Sequence, residues 1–332
     1  MSNPPIQNSL EPENKPEKQV GFPGHLRAIF SALRPKQATK NLFLFAALIF
    51  SGYVTKPYQA RGAIVHVIVA FLLFSLTAGS IYLLNDILDV ENDKQHPKKR
   101  FRPIASGRLP IPVAWGAMLF CSVGGLVLSF LLDPNFGLVV LGYFVLMLAY
   151  NFYLKHQVLL DVFTIAVGFV LRTSAGGLVI HVPVSPWLLL CTFQLALFLG
   201  FAKRRQELVL LGDEAGSHRA NLDEYSIPFL EQMINIVSAI TIVCYSVYTI
   251  ESDTSKSHPH FWITVPFVMY GVCRYLYLVY QKGWGGAPDE ALLKDRMLQV
   301  SILLWFGAVV LLFLFDKPGF FGLKYQQLFS PP

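Results

Sequence analysis

Residues 85–108 carry four acidic and six basic side chains in 24 positions and follow directly on a long apolar run. Asp86, Asp89 and Asp93 are spaced by three and four. On a helix that spacing puts the three carboxylates on one face. Asn85, four residues before Asp89, joins them. Clustered hard oxygen ligands favour Mg²⁺ over softer metals. Mg²⁺ takes one or two carboxylates and fills its remaining positions with water and substrate phosphates. Lys98, Lys99, Arg100, Arg102 and Arg108 follow, suited to the rest of a phosphorylated substrate. Pro97, Pro103, Gly107 and Pro110 set turns that keep this basic stretch from behaving as a loose loop. The chemistry expected is a metal–diphosphate site at the end of a membrane helix. Asp86, Asp89 and Asp93 are its catalytic carboxylates, and with Asn85 they are its metal ligands.

Other polar groups stand inside or beside apolar runs. Asp161 and Arg172 are eleven residues apart, close to three helical turns, and so face the same way. Charges at membrane depth are costly and usually line a polar space. A structural ion pair to other helices is the plain alternative. The functional reading gives Arg172 a phosphate and Asp161 a cation or a ribose. Lys155 and His156 follow Tyr150, Asn151 and Tyr153 at the end of one apolar run. Lys155 is the substrate-binding candidate there, and His156 reads more simply as a solvated helix end. Lys203, Arg204 and Glu207 close another run, and Lys203 and Glu207 share a face. They form a candidate opposite wall of the site, with Asp213, Glu214, Arg219 and Tyr225 in the polar loop beyond. Arg274 sits within an apolar segment, where pairing inside the bundle is its default role.

The elements that must hold these groups follow from composition. The 332 residues are 54% hydrophobic and only 14% charged, with a mean hydropathy of +0.48. That is too apolar for an ordinary soluble domain. Apolar runs near 20 residues recur, as a bilayer requires. The expected fold is all-α: a polytopic membrane protein with nine transmembrane helices around a central cavity. The spans are placed at 41–55, 63–85, 112–132, 136–154, 158–180, 186–203, 229–250, 260–281 and 298–316. The first is short enough to be re-entrant instead. The net charge of +6 does not indicate nucleic acid, because the bases lie between apolar runs.

Basic residues gather in alternate loops, and such loops stay cytoplasmic. Nine spans then put the N-terminus and the acidic motif on the cytoplasmic side of a bacterial inner membrane. Residues 1–25 read as a disordered tail, 26–317 as the catalytic domain and 318–332 as a short C-terminal tail. Within this, residues 20–36 read as an interfacial helix. The four cysteines lie apart in apolar stretches and read as buried hydrophobes rather than a disulfide frame or zinc site.

The pattern Asn-Asp-x-x-Asp-x-x-x-Asp at 85–93, with Arg-Phe-Arg-Pro-Ile-Ala-Ser-Gly after it, resembles the UbiA superfamily of intramembrane prenyltransferases. Leu33-Arg34-Pro35-Lys36-Gln37 with Lys40-Asn41 is similar to the start of the decaprenyl-phosphate phosphoribosyltransferase branch. So are Leu154-Lys155-His156-Gln157 with Asp161, Leu171-Arg172 with Ala175-Gly176-Gly177, and Gly285-Gly286-Ala287-Pro288-Asp289-Glu290 with Asp295-Arg296. The broader superfamily carries a second Asp-rich motif after the sixth span, where this chain has Lys203-Arg204-Arg205-Gln206-Glu207. That departure argues against a prenyl diphosphate donor.

The resemblance implies Mg²⁺, a 5-phosphoribosyl 1-diphosphate (PRPP) donor and a polyprenyl phosphate acceptor. Lys36, Lys40, Asn85, Arg100, Arg102, Lys155, Asp161, Arg172, Lys203, Arg204 and Glu207 are the expected substrate-binding set. The alternative on the same scaffold attaches a polyprenyl diphosphate to an aromatic acceptor. A transporter would also use intramembrane charges, but one polar constellation at one membrane face disfavours it. Assembly into a homo-oligomer is left open.

Overall fold

A computed structural model of the protein describes residues 22–50, 57–96, 99–211, 222–286 and 288–316. Its elements are helical, as backbone groups in hydrocarbon require. In chain order they are α1 (Phe22–Ala32), α2 (Phe45–Phe50), α3 (Pro57–Leu88), α4 (Val90–Gln95), α5 (Ile111–Leu132), α6 (Pro134–Phe152), α7 (Leu160–Val179), α8 (Pro186–Leu211), α9 (Ile227–Glu251), α10 (Asp253–Ser257), α11 (Val265–Lys282), α12 (Pro288–Lys294) and α13 (Arg296–Phe315).

Among the described residues, eight helical stretches are long and apolar enough to cross a membrane: 60–88, 111–132, 134–152, 160–179, 186–210, 227–251, 261–282 and 296–315. They coincide with eight of the nine expected spans. The first expected span, 41–55, is the correction. Its described part is a 3₁₀ stretch, Pro35–Leu44, running into the six-residue α2. Arg34, Pro35 and Asn41 account for this. Arg34 takes a left-handed backbone, Pro35 opens the 3₁₀ turns, and Asn41 spends its side chain on tertiary partners.

Local signals start and stop the spans where the sequence places them. Proline stands in the first turn of α5, α6, α9 and α11, where its missing N–H costs nothing. The Asp133 side chain accepts from Phe136 N at 2.8 Å to begin α6, and Asp295 accepts from Leu298 N at 2.8 Å to begin α13. Gly283, at φ +65°, ends α11 in the left-handed conformation that glycine adopts freely.

Successive helices pack as antiparallel neighbours: α3 on α5, α6 on α7, α7 on α8 and α8 on α9. One apolar core joins α7, α8, α9 and α11 through residues such as Phe198, Phe201, Leu230 and Val279. A second joins α2, α3, α6 and α7 around Phe74, Phe136 and Tyr143. The crossing segments of α3 and α7 are each 56% buried, against 28% for α5 and α6. The two most enclosed spans are the ones that carry Asp86, Asp161 and Arg172. Phe120 and Leu131 on α5 are 80% and 77% exposed, as a lipid-facing surface requires.

The expected interfacial helix is α1. Its Ala28 and Ala32 pack on Leu83, Leu84 and Ile87 of α3, while Leu26 and Phe30 stay exposed. All four cysteines are free thiols.

Candidate active site

The acidic motif runs through the end of α3 into α4. Asp89 interrupts the helix (φ −95°, ψ 11°), yet Asp89 N still donates to Asn85 O at 2.9 Å and Asp93 N to Asp89 O at 2.8 Å. The helical phase therefore persists. At about 100° per residue, Asp93 lies within about 20° of Asp86, while Asp89 stands about 60° away. The side chains divide accordingly. Asp86 and Asp93 share Arg102, whose Nη1 lies 3.1 Å from Asp86 Oδ1 and 2.6 Å from Asp93 Oδ2. Arg34 also donates through Nη2 to Asp86 Oδ1. Asp89 instead accepts from Lys155 Nζ at 3.1 Å.

Of the expected set Asn85, Asp86, Asp89 and Asp93, Asp86 and Asp93 thus form a buried pair on Arg102, and Asp89 turns to Lys155. Among the described residues no group of three or more His, Cys, Asp or Glu is gathered tightly enough to hold an ion. The pair still suits Mg²⁺. Asp86 and Asp93 are 1% and 2% exposed, and Asp86 Oδ2 is buried without a hydrogen-bond partner. An orphaned carboxylate oxygen beside a second carboxylate fits an ion that needs only one or two protein carboxylates.

The described part of the basic loop after α4 is anchored by packing and by hydrogen bonds. Ile104 and Leu109 are buried against α3 and α5, and Arg108 donates to Phe101 O and Ser106 Oγ. That anchoring presents Arg102 to the acids. Arg100 is exposed, with its guanidinium 4.9 Å over the Phe101 ring, away from the carboxylate pair. Lys98 lies outside the described residues.

Asp161 and Arg172 do not pair with one another. Arg172 is 5% exposed and spends its guanidinium on neutral acceptors: Asn41 Oδ1 at 2.7 Å, Gly168 O at 2.8 Å and Tyr143 OH at 2.8 Å. Asn41 in turn donates to Ser75 Oγ at 2.8 Å. Arg172 therefore ties α6 and α7 to the 3₁₀ stretch that bears Lys36 and Lys40, both exposed. The Gly176 backbone comes so close to Leu44 O that a Cβ there would stand 1.9 Å from that oxygen. Glycine is required there for close approach.

A second polar group sits between α7 and α8. Arg204 Nε lies 2.8 Å from Asp161 Oδ2, and Arg204 Nη1 pairs with Glu207. Tyr225 OH donates to Asp161 Oδ1 at 2.8 Å and accepts from Leu159 N at 2.7 Å. Burial, and the Asp161 carboxylate it faces, push the Tyr225 phenol above its ordinary range, which keeps it a donor. Lys203 lies 3.9 Å from Glu207 and is half-exposed. Arg204 thus engages both acids of this group, Asp161 and Glu207. Asp213, Glu214 and Arg219 lie outside the described residues.

Sequence reasoning placed other charges only partly. Arg274 pairs with Asp295 through two contacts, at 3.1 and 2.8 Å, as its default role requires. Arg205 pairs with Glu231 at 2.7 Å and lies over Tyr280. His156 is exposed, and Asn151 is buried and donates to Met147 O. Of the late aromatics, Tyr275 packs in the core, while Tyr270, Tyr277 and Trp284 are exposed. Arg34, part of the Leu33–Gln37 motif but not among the expected site residues, joins the site through Asp86. Its position just before Pro35 was the signal: a fixed turn aims the side chain at the motif.

Comparison with known proteins agrees with this geometry. The UbiA prenyltransferase family profile matches residues 42–284. A protein of Mycolicibacterium smegmatis named decaprenyl-phosphate phosphoribosyltransferase is 35% identical over 311 residues, covering 92% of this chain and 96% of its own. A protein of the same name from Corynebacterium glutamicum is 36% identical over 291 residues, covering 85% of this chain and 86% of its own. Among solved structures, a UbiA homolog from Archaeoglobus fulgidus bound to GPP and Mg²⁺ matches with a TM-score of 0.64. It is 17% identical and covers 85% of this chain and 99% of its own. Family profile, full-length relatives and shared fold converge with the acidic motif at the end of α3: the chain belongs to the UbiA prenyltransferase family.

Proposed function

We propose that this enzyme transfers a 5-phosphoribosyl group from PRPP to a polyprenyl phosphate and releases diphosphate. The bond between ribose C1 and the diphosphate oxygen breaks, and an acceptor phosphate oxygen bonds to C1. The observation that carries the reading is the similarity, over 92% of the chain, to a relative named for this activity. The polar site supports it. One buried acid pair is surrounded by arginine and lysine, which suits a donor bearing phosphate at both ends of its sugar.

Mg²⁺ held by Asp86 and Asp93 would neutralise the leaving diphosphate. The chain's own residues do the rest. Arg102 and Arg34 offer forked donors at the acid pair, suited to phosphate oxygens. Lys155 brings a point charge beside Asp89. Lys36 and Lys40 stand exposed on the 3₁₀ stretch that Arg172 fastens, and their charge suits a second phosphate. The acceptor needs no strong base, since a phosphomonoester's second pKa is about 6. Positioning and charge neutralisation carry the rate. The Asp161–Arg204–Tyr225 group holds α7, α8 and the loop before α9 in register around the site. Alternating loop charge supports a site at the cytoplasmic face.

The test is an assay of purified protein with radiolabelled PRPP, a polyprenyl phosphate and Mg²⁺, with and without EDTA. Label entering the lipid phase only with metal is the expected result. Folded protein that leaves PRPP intact and instead consumes a prenyl diphosphate with an aromatic acceptor overturns it.

A further inference from the structure

The acid pair is neutralised by two guanidinium groups that differ from it in exposure. Asp86, near the end of α3, and Asp93, in α4, are both buried. The side chains of Arg34 and Arg102 are 26% and 24% exposed and enter from the solvent side. Arg102 Nη1 lies within hydrogen-bond distance of both carboxylates. Arg34 reaches Asp86 from a residue held at φ 53°, ψ 63°, with its guanidinium 5.1 Å over the Tyr82 ring. Left-handed backbone in a residue with a side chain is strained and persists only where its surroundings hold it. Despite both arginines, Asp86 Oδ2 remains without a partner.

Two buried carboxylates need two positive charges, because an uncompensated buried charge is strongly unfavourable. Two guanidinium groups supply that charge, and so would one divalent cation. The two solutions compete, because Arg102 Nη1 already takes one oxygen of each carboxylate, Asp86 Oδ1 and Asp93 Oδ2.

Resting on the metal–diphosphate reading of this site, we propose that Arg34 and Arg102 are internal stand-ins for the cation. They hold Asp86 and Asp93 neutralised in the resting enzyme. They leave the carboxylates when the metal binds and transfer their donors to the incoming diphosphate. Each arginine exchanges one anionic partner for another, so charge balances at every stage and no covalent bond changes. The consequence is coupling. Metal alone must displace the arginines into water. Metal with diphosphate gives them a new anion. The two ligands therefore bind cooperatively, and by linkage each favours the other equally.

The experiment measures Mn²⁺ binding without donor or acceptor, by the loss of the free-ion electron paramagnetic resonance signal. It uses full-length protein in detergent: wild type, Arg102→Gln, Arg34→Gln and Asp86→Asn. Removing a competing arginine is expected to tighten Mn²⁺ binding by about tenfold or more, while Asp86→Asn abolishes it. Wild type also gives a readout without substitution. Mn²⁺ added alone should raise phenylglyoxal labelling of Arg34 and Arg102, read by peptide mass spectrometry. Asp86-dependent binding that is no tighter in either arginine variant, with unchanged labelling in wild type, overturns the exchange and leaves the metal site standing. No Asp86-dependent Mn²⁺ binding in any protein, with or without inorganic pyrophosphate, overturns the metal reading as well.

Discussion

Lys155 Nζ lies 3.1 Å from Asp89 Oδ1, joining the turn after α6 to the acidic motif across 66 residues of sequence. The pair is part-exposed, at 17% and 32% for the two side chains, so its share of stability is small, under about 1 kcal/mol. Its value is in placing a cation beside Asp89 of the acidic motif. Lys155→Met is therefore expected to keep the melting temperature and lower kcat/KM by about ten- to a hundredfold, the size of one charge-assisted hydrogen bond. Lys155→Arg should recover part of the loss. Steady-state kinetics with the donor varied, beside a thermal melt, separates the two effects; a lower melting temperature with unchanged kinetics would make the contact purely structural.

Arg172 fastens three elements through its guanidinium. Three of its donors reach Asn41, Gly168 and Tyr143. Arg172→Met would orphan buried acceptors on three elements, at a cost of about 2–4 kcal/mol. Arg172→Lys should not restore stability, since an ammonium cannot reproduce the fork. Thermal unfolding in detergent checks both. A wild-type melt for Arg172→Met would show that these contacts hold nothing in place.

Gly176 gives a steric test of the same junction. A Cβ there would lie 1.9 Å from Leu44 O, whereas at Gly124 it would meet nothing within 4 Å. Gly176→Ala should destabilise by about 1–3 kcal/mol through forced backbone movement. Gly124→Ala, within α5, should be neutral or stabilise by up to about 1 kcal/mol. Equal melting temperatures for the two variants would contradict the packing described.

Asp295 predicts a pH dependence. The hydrogen bonds from Arg274, with help from the backbone amides of Leu298 and Met297, hold its carboxyl below the ordinary range. A carboxyl depressed in the folded state contributes stability that is complete above its unfolded value, near 3.9. That contribution is lost as pH falls through the lower folded value. Wild type should therefore melt above Asp295→Asn at neutral pH, and the two should converge only in strongly acid buffer. A gap that opens instead between pH 6 and 8 would assign the effect to another group.

Much of this protein was written in local sequence. Apolar runs near the bilayer's thickness, punctuated by Pro134, Ser226 and Asp295, fixed eight spans to within a few residues, because span length and helix caps depend on near neighbours. That Asp93 returns to the face of Asp86 was legible in their spacing for the same reason: helical phase is a local property. Which charges meet was settled only by the fold. That Asp93 turns with Asp86 to Arg102, while Asp89 turns to Lys155, depends on how the loops after α4 and α6 lie over the end of α3. Arg34 reaches Asp86 across 52 residues, and Arg172 reaches Asn41 across 131. A charge in a membrane bundle must find its partner wherever packing brings one, and no spacing along the chain records that distance.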